Sequence, residues 1–151
     1  PIGQIVALFS FAAVAQAGDG VVELNQSCAI QTGCLAGDPP GFPITIPSYG
    51  SYRLTDDLVV PDENTSAILI SANDVSVDLN GFSIVRAGCQ GALGGPGCVA
   101  TSGTGAGVAL LLPDSTSGTS VRNGSVVGMG SNGISLGRQS RVHEVSVRWS
   151  R

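Results

Sequence analysis

The sequence predicts an all-β chain whose short strands stack as a solenoid, and three observations lead there. The first is composition. Of 151 residues, 22 are Gly, and the charged residues are seven basic (all Arg) against eleven acidic, so Gly is about twice and charge about half the usual share. Neither a long solvated helix nor a coiled coil is built from such a chain. The second is texture. Apolar runs of strand length or shorter, many rich in β-branched residues, alternate with polar turns, and residues 20–151 hold no ten-residue stretch of helical period. The third is recurrence, since the runs return in the same order about every 25 residues.

A net charge of -4 and a pI near 4.6 argue against a nucleic-acid partner, because phosphate neutralisation needs clustered Lys and Arg. Charge-driven disorder does not fit 42% hydrophobic residues and a mean hydropathy of +0.30.

In chain order, residues 5–17 (IVALFSFAAVAQA) come first. They carry no charge and end in Ala15-Gln16-Ala17 before Gly18-Asp19-Gly20. This is the apolar core and small-residue cleavage site of a secretory signal, so residues 1–17 are expected to be a signal peptide. The run is too short for a membrane span, which takes about 20 residues. A buried N-terminal strand or helix is the rival reading. The chain opens on Pro1 without a basic segment and is expected to begin inside its reading frame.

Export agrees with the cysteines, which fall as Cys28/Cys34 and Cys89/Cys98, each among turn formers. Two local disulfides are expected in an oxidising compartment, although four Cys allow three connectivities. Metal ligation fails on spacing, since neither pair is CxxC and the one His, His143, is remote in sequence.

Residues 18–50 read as an irregular, disulfide-pinned N-terminal cap with a turn at Asp38-Pro39-Pro40-Gly41. Residues 51–151 read as coils with a Gly- and Cys-rich insertion at about 87–106. The first round runs AILI (67–70), VSVDL (75–79), Asn80-Gly81 and FSIV (82–85). The second runs GVALLL (107–112), SVR (120–122), Asn123-Gly124 and SVV (125–127). The third runs GISL (133–136) and VHEVSV (142–147). Gly107 and Gly133 lie 26 positions apart, and Val121 and Val145 lie 24. Three short strands per coil bury too little alone, so coils must stack. Both Asn-Gly pairs suit a tight bend with left-handed backbone. A β-hairpin at each is the competing reading, within a β-sandwich carbohydrate-binding domain. VDLNG and VRNG differ by one residue before the Asn, which puts their stacking register in question.

At this point the chain resembles a known family. GSYRLTDDLVVPDENTSAILISANDVSVDLNGFSIV (50–85) resembles the opening coils of secreted bacterial right-handed parallel β-helix proteins of the pectin-lyase-like superfamily, and VRNGSVVGMGSNGISL (121–136) a later coil. The likeness spans about residues 43–151. It implies a right-handed parallel β-helix of about three coils, with further coils of the same chain following. It also implies polysaccharide or cell-surface glycan as the partner, and it is the sole ground on which Ca2+ enters.

Candidate chemistry is sparse. Glycoside hydrolysis needs two carboxylates on one groove. The family's lyases are expected to use calcium-binding Asp with an Arg or Lys base. Asp78 and Arg122, each beside an Asn-Gly, and Asp114 after GVALLL are the candidates, each weighed against an ordinary surface or turn role. Asp56-Asp57 and Asp62-Glu63 read as solvated loop charges, and His143-Glu144 as an exposed strand pair. Tyr49, Tyr52 and Trp149 could stack on sugar, with packing the blander role. Ser135 in Gly133–Gly137 matches a nucleophile elbow without the helix it requires. The calcium-loop echo at residues 76–81 lacks its Glu, and residues 95–100 match a dinucleotide motif without flanking strand and helix. AILI, GVALLL and GISL bear no charge, so catalysis on those strands is not available. The expected function is therefore an exported protein that acts on or binds polysaccharide, either as a lyase or hydrolase with its site in later coils or as a non-catalytic surface, adhesion or spacer module.

Overall fold

Short β-branched runs hold as strands only when neighbours take up their backbone groups and one face is removed from water. A computed structural model shows how this chain meets both conditions; it describes residues 20–90 and 98–150. The expected signal peptide and the middle of the insertion, including Gly95-Pro96-Gly97, lie outside the described residues.

The elements run β1 (Val21–Leu24), α1 (Gln26–Gln31), β2 (Ile44–Ile46), β3 (Gly50–Leu54), β4 (Leu58–Val60), β5 (Ile68–Ile70), β6 (Val75–Asp78), β7 (Ser83–Arg86), β8 (Val108–Leu110), β9 (Ser120–Val127), β10 (Ile134–Ser135) and β11 (Arg141–Arg148). Every strand pairing among them is parallel. A seven-stranded sheet has the order β1-β3-β6-β9-β7-β4, with β11 on β9, and a four-stranded sheet has the order β10-β8-β5-β2.

One strand joins the larger sheet together. β9 pairs with β6 through Ser120–Arg122 and with β7 through Ser125–Val127, while β11 follows its whole length. β6 and β7 therefore lie end to end along one edge of β9. Register places like side chains side by side on the inward face: Tyr52, Val77 and Val121 in one row, Leu58, Ile84 and Val126 in another. The smaller sheet contributes Ile44, Ile68 and Val108, then Ile46, Ile70 and Leu110. All belong to one core cluster and all are buried.

This arrangement overturns the expected right-handed parallel β-helix of three-strand coils. The strand orders are those of a seven-stranded and a four-stranded sheet, and the second and third strands of the first two expected rounds lie in the same sheet. The physical reason is legible at the two Asn-Gly pairs. Asn80 and Gly81 (φ 53 and 82) form a small outward turn between β6 and β7, closed by Phe82 N–H donating to the Leu79 carbonyl. At Asn123-Gly124 the strand runs straight on inside β9, with only Asn123 left-handed. Register shows the mismatch directly. Asp78 pairs with Arg122 and Ser83 with Ser125, so four residues face two. The rival hairpins are absent as well, since β6 and β7 both pair in parallel with β9.

β1 and α1 lie within residues 18–50, which the sequence reading treated as an irregular cap, and neither element was expected there. β1 pairs with β3, and α1 is capped by Asn25, whose side chain accepts from Cys28 N–H at 2.8 Å. The Cys28–Cys34 disulfide closes this segment. Its side chains cover sheet edges. The Gln26 amide donates to the Val59 carbonyl (3.2 Å) and accepts from Val59 N–H (2.9 Å), as a neighbouring strand would. The buried Asp38 carboxylate accepts from Thr45 N–H of β2 and from Cys34 N–H. Covered edges do not recruit other chains.

The Cys89–Cys98 disulfide packs with Val85 and Val127 in a second small cluster. Gly128 (φ 75) lies against it. A Cβ there would meet Cys89 Sγ, with Cys89 Cβ at 3.0 Å and Cys98 Sγ at 3.2 Å. Gly128→Ala is expected to lose about 2 kcal/mol or more in urea unfolding, since backbone strain and overpacking act together; an unchanged midpoint would contradict this packing. Tyr52 supplies a pH test. Its hydroxyl donates to the Ser48 carbonyl at 2.8 Å, and burial pushes the phenol above 10.0. The fold thus favours neutral Tyr52, so this stability is intact below pH 10 and is lost as pH rises through the raised value. Tyr52→Phe is expected to flatten the alkaline fall of the urea midpoint, and an unaltered slope would argue against it.

Candidate ligand-binding groove

Alternation along a strand sends every second side chain of the larger sheet outward. Parallel register then lines these up across strands. One outward row reads Glu23, Arg53, Asp78, Arg122, His143, one residue from each of β1, β3, β6, β9 and β11. Signs alternate through its first four members, from Glu23 to Arg122. Arg122 approaches Asp78 at 2.8 Å and Arg53 approaches Glu23 at 3.8 Å. A second row holds Ser51, Ser76 and Ser120, with Ser120 Oγ donating to Ser76 Oγ at 3.1 Å.

Two of the three candidates named from sequence, Asp78 and Arg122, thus meet, but as an ion pair. The Asp78 carboxylate also accepts from Asn80 N–H (2.8 Å) and the Asn123 amide (3.3 Å). A carboxylate held this way is occupied by its own neighbours, which suits a structural tie better than proton transfer. Asp114 lies apart, exposed in the turn after β8 where Ser115 and Thr116 N–H donate to the Leu112 carbonyl. Asn80 and Asn123 anchor neighbouring chain, since the Asn80 amide donates to the Leu54 carbonyl and Gly81 N–H to the Asn123 carbonyl. Gly124 is required by space, because a Cβ there would meet Leu79 and the Phe82 carbonyl.

The calcium implied by the family resemblance fits poorly. No three His, Cys, Asp or Glu side chains converge as a metal-holding group among the described residues, and Asp78 is engaged. The aromatics named for sugar stacking do not assemble. Tyr52 is in the core, Tyr49 is exposed beside β3, and Trp149 follows β11.

A different part of the same sheet offers a concavity. Where β4, β7, β9 and β11 lie side by side, a groove of about 220 Å³ is lined by Asp57, Ser83, Val85, Cys89, Gln90, Ser125, Val127 and Arg148. Register explains its pattern. Ser83 pairs with Ser125, and Val85 with Val127, which in turn pairs with Arg148. The two serine hydroxyls are 2.8 Å apart, and Asp57 accepts from Ser83 N–H at 2.7 Å. Val85 and Val127 are buried beneath.

The wall of the groove is the Cys89–Cys98 turn. Arg86, buried, fixes it to β9. Its Nε donates to the Gly128 carbonyl (2.6 Å) and one Nη to the Val99 carbonyl (2.9 Å). A buried guanidinium demands such partners. Sequence reasoning missed this groove entirely. Asp57, Ser83, Ser125 and Arg148 stand in four separate segments, and no local motif joins them.

No protein-family model, curated protein or solved structure matches this chain. The likeness of residues 50–85 to pectin-lyase-like proteins stays a resemblance of sequence pattern. No helix among the described residues is long and apolar enough to cross a membrane, which says nothing about a β-barrel. Both disulfides accord with an oxidising location.

The half-exposed pair Asp78–Arg122 is expected to show a coupling of about 0.5–1 kcal/mol in a double-mutant cycle of Asp78→Ala and Arg122→Ala read by urea unfolding. Strict additivity of the two losses would show that the ladder adds no mutual stabilisation.

Proposed function

We propose that this chain is an exported protein that binds polysaccharide in the groove over β7 and β9 and does not cleave it. The side-chain set of that groove carries the reading. A sugar ring presents hydroxyls that both donate and accept, together with an apolar C–H face. Asp57 accepts, Arg148 and the Gln90 amide donate, the Ser83 and Ser125 hydroxyls do either, and Val85 and Val127 supply an apolar floor. The volume suits one sugar unit of a longer chain. Hydrolysis by the two-carboxylate route requires a second acid on the groove, and Asp57 is the one carboxylate among the described residues lining it. Export is supported by the apolar run at residues 5–17 and by the two disulfides.

Titration with neutral and acidic oligosaccharides, followed by NMR shifts, tests the proposal. Binding is expected with Kd of about 1 mM per sugar unit occupied. Arg148→Ala and Gln90→Ala are each expected to weaken it at least threefold without changing the fold. Absence of binding at several millimolar, or affinity unaltered by both substitutions, would overturn the reading.

A further inference from the structure

Three stretches of the chain carry the pattern Asn-X-Ser: Asn25-Gln26-Ser27, Asn64-Thr65-Ser66 and Asn123-Gly124-Ser125. In an exported protein this pattern is the acceptor for N-linked glycan, which is bulky, water-loving and belongs on a surface loop. The structure separates the three on that ground. Asn25 is half-buried between β1 and α1, its side-chain oxygen capping the helix against Cys28 N–H and the Cys28–Cys34 disulfide closing beside it. Asn123 is exposed but lies inside β9, which is paired along both edges, and its amide nitrogen donates to Asp78 at 3.3 Å. Asn64 alone of the three stands exposed in a turn, the one between β4 and β5. That turn is tied from beneath. The Asp62 carboxylate accepts from Asn64 N–H (2.8 Å) and from the Thr65 hydroxyl (2.9 Å), and Ala106 N–H donates to the Ser66 hydroxyl (3.0 Å). Thr104 N–H donates to Asn64 Oδ1 at 3.3 Å. The side-chain oxygen is thus turned to the protein, and among the described residues no hydrogen bond engages Nδ2, the atom that takes the sugar.

We propose that Asn64 is an N-glycosylation site of the exported protein, and that Asn25 and Asn123 stay unmodified. The donor is an oligosaccharide carried on a lipid diphosphate. Asn64 Nδ2 attacks its anomeric carbon, a C–N bond forms, and the bond from that carbon to the diphosphate oxygen breaks. The lipid diphosphate leaves, and one Nδ2 proton passes to a base of the transferase. Nothing is oxidised or reduced. The product suits this fold, because the linkage keeps Oδ1 as a carbonyl oxygen and the Thr104 contact survives with the glycan in water. At Asn123 the same product would set a glycan beside the Asp78–Arg122 pair. The inference rests on the export half of the function proposed above and is independent of the groove.

Mass spectrometry of the protein collected from the medium of the cells that naturally make it, before and after peptide N-glycosidase, tests this. The intact protein is expected to carry the mass of one oligosaccharide, lost on enzyme treatment, with Asn64 alone converted to Asp in the peptide map. Asn64→Gln and Ser66→Ala, each made in those cells, are expected to abolish the added mass. Ser66→Thr, Asn25→Gln and Asn123→Gln are expected to keep it. Far-UV circular dichroism checks that each variant is folded, and Ser66→Thr keeps the test decisive should Ser66→Ala unfold, since it retains both the acceptor pattern and a hydroxyl. Secreted protein with an unmodified Asn64 peptide would overturn the site while leaving export intact. Added mass that survives Asn64→Gln would also overturn it and move the glycan to Asn25 or Asn123. A chain retained in the cytosol without glycan would overturn export and the site together.

Discussion

The parallel pairing of β9 on both of its edges is the constraint on which the rest of the molecule depends. Along one edge β9 holds β6 and then β7, and along the other it holds β11. Without it, β7 and β4 would form a separate two-stranded piece, and so small a sheet is marginal by itself. Its two halves also feed the shared core, through Val121 and Val126, both fully buried. The passage between the halves leaves no room for a side chain at Gly124, where Leu79 and Phe82 come close.

The same strand explains why two polar regions on the outer face differ in what they can do. Its first half carries Arg122 into the alternating row, where each charge is held by a neighbour in register. Such a row satisfies itself and leaves little for a ligand. Its second half carries Ser125 and Val127 into the groove, where hydroxyls, an amide and opposite charges surround an apolar floor. Arg86 and the Cys89–Cys98 disulfide keep that groove walled by tying the turn at residues 87–90 to the end of β9. A disulfide beside a small cluster is a common aid where a short segment cannot bury enough apolar surface by itself.

Much of the local structure could be read from the sequence. Alternation in VSVDL and the β-branched runs at 58–60 and 68–70 mark strands that the structure has, because such residues suit a pleated, half-buried surface. What failed was the step from strands to architecture. An Asn-Gly pair marks left-handed backbone, and Asn80 and Asn123 both adopt it. Yet that conformation serves an outward turn at one place and a point inside a strand at the other. Side-chain type does not separate these, whereas the count of residues between paired positions does. β1 and α1 were missed because each is too short to show a period. The candidate pair Asp78 and Arg122 was found because both sit beside Asn-Gly, but its meaning changed once register put them in contact. The groove was invisible because Asp57, Ser83, Ser125 and Arg148 come together only through that same register.

Native-state hydrogen exchange tests the central role of β9 most directly. If β9 ties the sheet as a single unit, amides of its first half (120–122) and second half (125–127) exchange at one common rate. That rate is the slowest in the protein and corresponds to global unfolding. A second half that exchanges at least tenfold faster, in step with β7 and β4 and independently of β6, would contradict the account. It would show that the groove side of the sheet opens without the rest.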